Sequence, residues 1–155
     1  MLGVVWGMCV LKILIQRVKQ ASVTVDEMIT GQIARGLLVF LGVHEDDTEA
    51  NIDYLIRKLV NLRIFEDENG KMNLSVQDVK GSILVVSQFT LYADCRRGNR
   101  PDFIQAAKPE KANALYTLFV DKLKSIGIPT ETGVFGAYMQ VNIVNDGPVT
   151  IQIEN

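Results

Sequence analysis

Histidine and cysteine are nearly absent from this chain, and much catalytic chemistry goes with them. The one histidine, His44, cannot build a His-rich metal cluster. It lies between Gly42 and Glu45 at an apparent strand end and reads as surface structure rather than a ligand. The two cysteines, Cys9 and Cys95, are far apart and form no Cys-x-x-Cys pair. That excludes a zinc ribbon and a disulfide framework, and it suits a reducing cytosol. No glycine-rich phosphate cradle occurs, so no nucleotide cofactor is expected. No Gly-x-Ser-x-Gly elbow occurs either. A Ser-His-Asp relay would have only His44 to use, and nothing marks a partner for it. The carboxylate clusters Asp46-Asp47 and Glu66-Asp67-Glu68 fall at a helix start and a turn and read as solvated caps. A basic excess is missing too: 16 Lys and Arg against 18 Asp and Glu leave a net charge of −2. Any nucleic-acid contact must therefore be local.

Long apolar runs are equally scarce. Met1 to Leu11 is apolar apart from glycine, but Lys12 interrupts the run before the roughly 20 residues of a membrane span. The positive charge follows the run, whereas in a signal peptide it comes first. Residues 1–10 are read as an N-terminal extension that the fold does not require, and residues 11–155 as a single domain. The 155 residues are 48% hydrophobic and 22% charged, which is ordinary globular usage in a chain long enough to bury a core without staples.

From Leu11 onward the pattern is strand. Lys12, Leu14, Gln16 and Val18 alternate against Ile13, Ile15, Arg17 and Lys19, and Val23 and Val25 continue the period of two. Met28 to Gly31 reads as a turn. Leu37 to Leu41 and Ser82 to Phe89 are continuous apolar runs, expected as strands buried on both faces. Asp46, Asp47 and Thr48 precede Ile52, Leu55, Ile56, Leu59 and Leu62 at helical spacing. Pro109 opens a second helix with the face Leu115, Leu118, Phe119, Leu123 and Ile126, stopped by Gly127. Val134, Tyr138, Val141, Ile143 and Val149 to Ile153 supply the last strands. With no regular alternation of strand and helix, the class is α+β: a mostly antiparallel, curled or barrel-like sheet with two packed helices.

Two segments stand out. In Ser87-Gln88-Phe89-Thr90-Leu91 a buried strand ends in hydroxyls, an amide and an aromatic. Backbone N–H groups lose their ladder partners at such an end and can polarise a carbonyl. Alternatively, Ser87 and Thr90 satisfy local backbone groups and Phe89 is core. Asn145-Asp146-Gly147-Pro148-Val149-Thr150 reads as a hairpin turn by composition. However, a Gly-Pro bond populates the cis form readily, and glycine lets a ligand approach its backbone.

Together the two segments resemble the signature motifs of the D-aminoacyl-tRNA deacylase family. The resemblance runs from about Leu11 to Ile153 and includes Gln16-Arg17-Val18, Gly36-Leu37-Leu38-Val39, Asn61-Leu62-Arg63-Ile64-Phe65, Met72-Asn73-Leu74-Ser75 and Tyr92-Ala93-Asp94. Glu27 stands where the family often has glycine. The resemblance implies a cytoplasmic homodimer that hydrolyses the ester between a D-amino acid and the terminal ribose of tRNA, with mischarged glycyl-tRNA as a second substrate. It implies that Ser87, Gln88, Phe89 and Thr90 form the catalytic turn, and that the Gly147-Pro148 bond is cis and enters the partner's pocket to exclude L-substrates. Arg17 would brace that loop; without the resemblance it reads as a solvated strand arginine. The substrate's ribose 2′-hydroxyl, rather than a Thr90 nucleophile, would assist water. Arg96, Arg97 and Arg100, followed by Lys108 and Lys111, form a local basic stretch expected to meet tRNA phosphates, the alternative being a solvated loop. Rival classes are a non-catalytic homodimeric RNA-binding module and a small-molecule sensor.

Overall fold

One long strand organises the chain. The computed structural model describes residues 11–155, so the expected extension 1–10, with Cys9, lies outside the described residues. Strand β1 (Lys12–Val25) pairs along one edge with β8 (Gln140–Glu154) almost end to end. Its other edge is shared between β3 (Gly36–Gly42), opposite residues 12–18, and β2 (Met28–Ile33), opposite residues 21–25. All three pairings are antiparallel. The expected turn at Met28 to Gly31 is therefore strand. The reversal lies at Asp26 and Glu27, whose φ values of 48° and 66° give the paired positive angles of a tight hairpin.

Beyond β3 the sheet continues in parallel through β6 (Ser82–Ser87) and β7 (Thr130–Thr132). Helix α1 (Glu49–Asn61) carries the chain from β3 toward β6, and α2 (Pro109–Ser125) from β6 to β7, as parallel pairing demands. A small hairpin, β4 (Phe65–Glu66) and β5 (Met72–Leu74), stands apart. The sheet curls until its ends nearly meet: a Cβ added to Gly31 of β2 would lie 2.2 Å from the Thr132 carbonyl oxygen of β7. The α+β class and the barrel-like curl are observed.

The curled sheet has two apolar faces. Ile13, Ile15, Leu37, Val39, Leu41, Ile83 and Val85 pack with Ile52, Leu55 and Leu59 of α1 and Phe119 and Leu123 of α2. Val18, Ala21, Val23, Ile33, Leu38, Leu84 and Val86 fill the inside of the curl. Residues of β3 and β6 thus alternate between two cores, which is why both runs are apolar throughout. In β1 the odd-numbered residues change core after Val18: Ile13 and Ile15 face the helices, whereas Ala21 and Val23 join Val18 inside the curl. The register slips there, with Val18 opposite Asn145 and Gln20 opposite Val144, and one extra residue sends later side chains to the other face.

The helices start as their sequences indicate. Thr48 is the N-cap of α1, and its backbone N–H donates to Asn51 Oδ1 at 2.8 Å. Pro109 opens α2. The buried face of α2 is Ala112, Tyr116, Phe119, Val120 and Leu123, rotated from the expected stripe; Ile126 is 47% exposed. The Tyr116 hydroxyl donates to the Val85 carbonyl at 3.1 Å, tying α2 to the middle of β6. Gly127 ends the helix at φ 88°.

Gly36 tests this register. A Cβ there would sit 1.8 Å from the Ser82 carbonyl oxygen, a backbone atom that no rotamer change moves. Gly36→Ala is expected to destabilise the fold by about 3 kcal/mol or more, at or beyond the usual overpacking cost, measured by urea unfolding. Wild-type stability in this variant would refute the β3–β6 pairing.

Candidate active site

Strand β6 ends at Ser87, two residues before Phe89, and Phe89–Tyr92 forms one 3-10 turn. The Gln88 N–H still donates to the Leu41 carbonyl at 2.8 Å. The next two N–H groups, of Phe89 and Thr90, open the turn and have no acceptor within it. Leu91 and Ala93 close it by donating to the carbonyls of Gln88 and Thr90. The Gln88 side-chain amide donates to Thr90 Oγ1, fixing the hydroxyl beside the free N–H groups. Gly42 lies close behind this turn: a Cβ there would sit 3.1 Å from Leu91 Cβ and 3.2 Å from the Gln88 carbonyl and the Tyr92 ring. Phe89 is not core: it is 54% exposed and meets Phe103 edge to face at 5.0 Å.

The turn borders a cavity of about 560 Å³. Leu41, Val43 and Val86 form its floor, Ser87, Gln88 and Phe89 one edge, and Phe103, Ala106 and Ala107 one wall. The facing wall is Phe135 to Met139. It is a loop rather than the strand expected at Val134 and Tyr138, because Gly136 turns the chain at φ 77°. Bonds from Ala107 N–H to the Val43 carbonyl and from Glu45 N–H to the Gln105 carbonyl hold the first wall, with an isolated bridge between His44 and Ala106. His44 is structural here. Among the described residues no group of three or more His, Cys, Asp or Glu is arranged to hold a metal.

The second motif is not a hairpin. Asn145 and Thr150 both belong to β8, paired with Val18 and Gln16, and the four residues 146–149 bulge out opposite Arg17 alone. The Gly147–Pro148 peptide is cis. Arg17 is buried rather than solvated, at 6% exposure. Its Nε donates to the Asp146 carbonyl at 2.9 Å and its Nη1 to the Ile64 carbonyl at 2.7 Å. The fork leaves no slack: a Cβ on Gly147, whose φ is 129°, would come within 3.0 Å of Arg17 Nη2. Neither Gly147 nor Pro148 borders the cavity of its own chain.

The basic stretch divides. Asp94 grips Arg96 through Nε at 2.9 Å and Nη2 at 2.6 Å, which holds the Asp94 carboxyl far below the usual carboxylate range. Arg97 and Arg100 have no carboxylate partner among the described residues and are exposed. Lys111 is committed to the Glu45 carbonyl, and exposed Lys108 caps α2.

Matching this geometry, the chain fits the family model for D-Tyr-tRNA(Tyr) deacylase over residues 14–154. The chain belongs to that family. This deacylase is therefore an enzyme, a hydrolase. It is 57% identical to the D-aminoacyl-tRNA deacylase of Thermotoga petrophila, covering 94% of this chain and 97% of the relative. It is also 57% identical, over the same shares, to that of Clostridioides difficile. Among solved structures, a c-Myc DNA unwinding element binding protein superposes with a TM-score of 0.88 at 46% identity, covering 93% of this chain and 98% of that one. A probable eukaryotic D-amino acid tRNA deacylase shares the fold at a TM-score of 0.81 and 17% identity, covering 94% of this chain and 100% of that one. No helix among the described residues is long and apolar enough to cross a membrane.

Some of the deacylase site was not read from the sequence. The aromatic walls at Phe103 and Phe135 come from loops, where the only signal was aromatic residues set in polar stretches. Asp47, expected as a solvated cap, is 1% exposed and accepts from the His44 N–H at 2.6 Å. Its other oxygen and the Tyr92 hydroxyl are buried without a protein partner. Burial pushes the Asp47 carboxyl above its ordinary value, the His44 N–H and the charges of His44 and Lys111 opposing it and Asp46 adding to it. Burial also raises the Tyr92 phenol. A carboxyl harder to ionise folded than unfolded costs stability as pH rises through its folded pKa. Asp47→Asn should therefore gain stability relative to the wild type as pH rises from about 4 to about 7, read by urea unfolding at both ends. A difference independent of pH would contradict the burial of this charge.

Proposed function

We propose that the enzyme hydrolyses D-aminoacyl-tRNA, releasing free D-amino acid and tRNA, and that it rejects L-esters by the shape of a backbone loop donated by a second copy. The observation that carries this is the separation seen in one chain. The Ser87 to Thr90 turn borders a largely apolar cavity, whereas Gly147 and Pro148 of the Arg17-braced loop are exposed and do not line it. A homodimer in which Gly147 and Pro148 of one protomer stand beside Ser87 to Thr90 of the other unites the two halves.

Stereochemical sorting needs a wall rather than an attraction. One misplaced methylene in a compliant pocket is worth only about 1–3 kcal/mol. Main chain held by a buried guanidinium fork cannot rotate aside. Carbonyls of the Gly147-Pro148 segment facing the substrate Cα would accept bonds from its ammonium and leave no room for an L side chain. Glycine has no side chain to exclude, so mischarged glycyl-tRNA passes the same wall. The terminal adenosine fits the cavity beside Phe89, and Arg97 and Arg100 are free to meet phosphates. Arg96 serves that role less, since Asp94 neutralises it. A tRNA substrate fits a cytoplasmic enzyme.

The hydrolytic step falls to positioning. Among the described residues no base is hydrogen-bonded to Thr90 Oγ, whose partner there is the Gln88 amide, a donor, so the hydroxyl is not set up as a nucleophile. The free N–H groups of Phe89 and Thr90 stabilise the oxyanion that forms when water adds to the ester carbonyl. The adjacent ribose 2′-hydroxyl orients that water and relays its proton, taking one from the water as it passes its own to the departing 3′-oxygen. Holding a labile ester in this geometry supplies the rate.

The test is single-turnover hydrolysis of D- and L-tyrosyl-tRNA. The expected result is release of D-tyrosine only. Thr90→Ala should retain activity within about tenfold, the size of a lost positioning contact, while a 2′-deoxy terminal ribose abolishes it. Release of neither amino acid would favour a non-catalytic RNA-binding module, and a correctly folded but inactive Thr90→Ala would restore the nucleophile.

A further inference from the structure

The most exposed aromatic near the cavity has no task in the chemistry above. Tyr138 is 88% exposed and lines the cavity rim. It makes no hydrogen bond or ring contact with another described residue. Its loop is nevertheless built firmly. Phe135 is rooted against Tyr116 at 5.9 Å, Gly136 turns at φ 77°, and the Ala137 N–H donates to the Val134 carbonyl at 3.1 Å. An anchored loop thus holds an exposed phenol ring at the lining of the cavity.

The surroundings say what the ring meets. Phe89 lies exposed on the same rim. The lining continues through Phe103, Ala106 and Ala107, and the same 95–108 segment, pinched by the bridge between Asp94 and Asp102, carries the exposed Arg97, Arg100 and Lys108. Exposed aromatic faces beside free cations suit single-stranded nucleic acid, whose bases stack while its phosphates pair. The cavity takes one nucleoside, so the nucleotide before it must leave past this rim.

We propose that Tyr138 is a stacking platform for the base of the penultimate tRNA nucleotide, gripping the single-stranded end just outside the catalytic cavity. This rests on the reading that the cavity holds the terminal adenosine. Stacking is sequence-tolerant, which suits an enzyme that meets many tRNAs through one shared end.

The experiment compares two substrates, D-tyrosyl-tRNA and 3′-O-(D-tyrosyl)adenosine, which lacks the penultimate nucleotide. Tyr138→Ala should raise KM for the tRNA roughly 5- to 30-fold, as expected for one lost stack, with kcat unchanged. KM for the adenosine ester should stay at the wild-type value, and Tyr138→Phe should behave as wild type on both. Equal effects on the two substrates, no effect on either, or dissociation of a dimer in sedimentation would overturn the proposal. Failure of the wild-type enzyme on both substrates would instead refute the underlying assignment of the cavity.

Discussion

The structure turns on a buried guanidinium. Arg17 stands in the long central strand, on the face that β1 otherwise fills with Ile13 and Ile15, and a lone charge there would be costly. It is tolerated because its planar fork reaches two backbone carbonyls at once, Asp146 at 2.9 Å and Ile64 at 2.7 Å, and the Asp146 carboxylate stands 3.6 Å from its Nε. Those bonds connect three distant parts of the chain. They also fix the one place where β8 leaves its partner strand, so the Gly147-Pro148 segment is a rigid projection rather than a loose loop. A lysine, with a compact point charge on a flexible stem, could not hold both carbonyls in that geometry.

The rest of the machinery is correspondingly spare. The chain offers one histidine, and it is spent on bracing the cavity wall. What remains is main-chain N–H groups at the start of a 3-10 turn, a glutamine and a threonine that fix each other, and a largely apolar cavity of about 560 Å³. Such a site suits an ester that is already labile. In the mechanism we propose, selectivity comes from a backbone fence and rate from orientation, and neither needs an activated side chain.

Much of this was legible in the sequence because the decisive signals are local. Thr48, Pro109 and Gly127 mark helix ends by their own chemistry, and the apolar runs of β3 and β6 show strands buried on two faces. Ser87 to Thr90 and Gly147-Pro148 stand out by composition and carry the family resemblance. What was not legible depends on distant contacts. The burial of Arg17 requires Ile64 and Asp146 to converge on it. The strand at Met28 exists because two positive-φ residues, Asp26 and Glu27, reverse the chain without a glycine. The burial of Asp47 follows from packing against the turn that ends at Tyr92. Tyr138 was read as strand, because its apolar character hides a turn made by Gly136.

The most direct measurement is the ratio of single-turnover rates on D- and L-tyrosyl-tRNA for the wild type and a folded Arg17→Lys variant. If the guanidinium fork holds the stereochemical fence, the variant should keep its rate on the D-ester and begin to cleave the L-ester, lowering the ratio by about tenfold or more, a gain in energy terms of one to two lost charge-assisted bonds. An unchanged ratio in the variant would contradict the account.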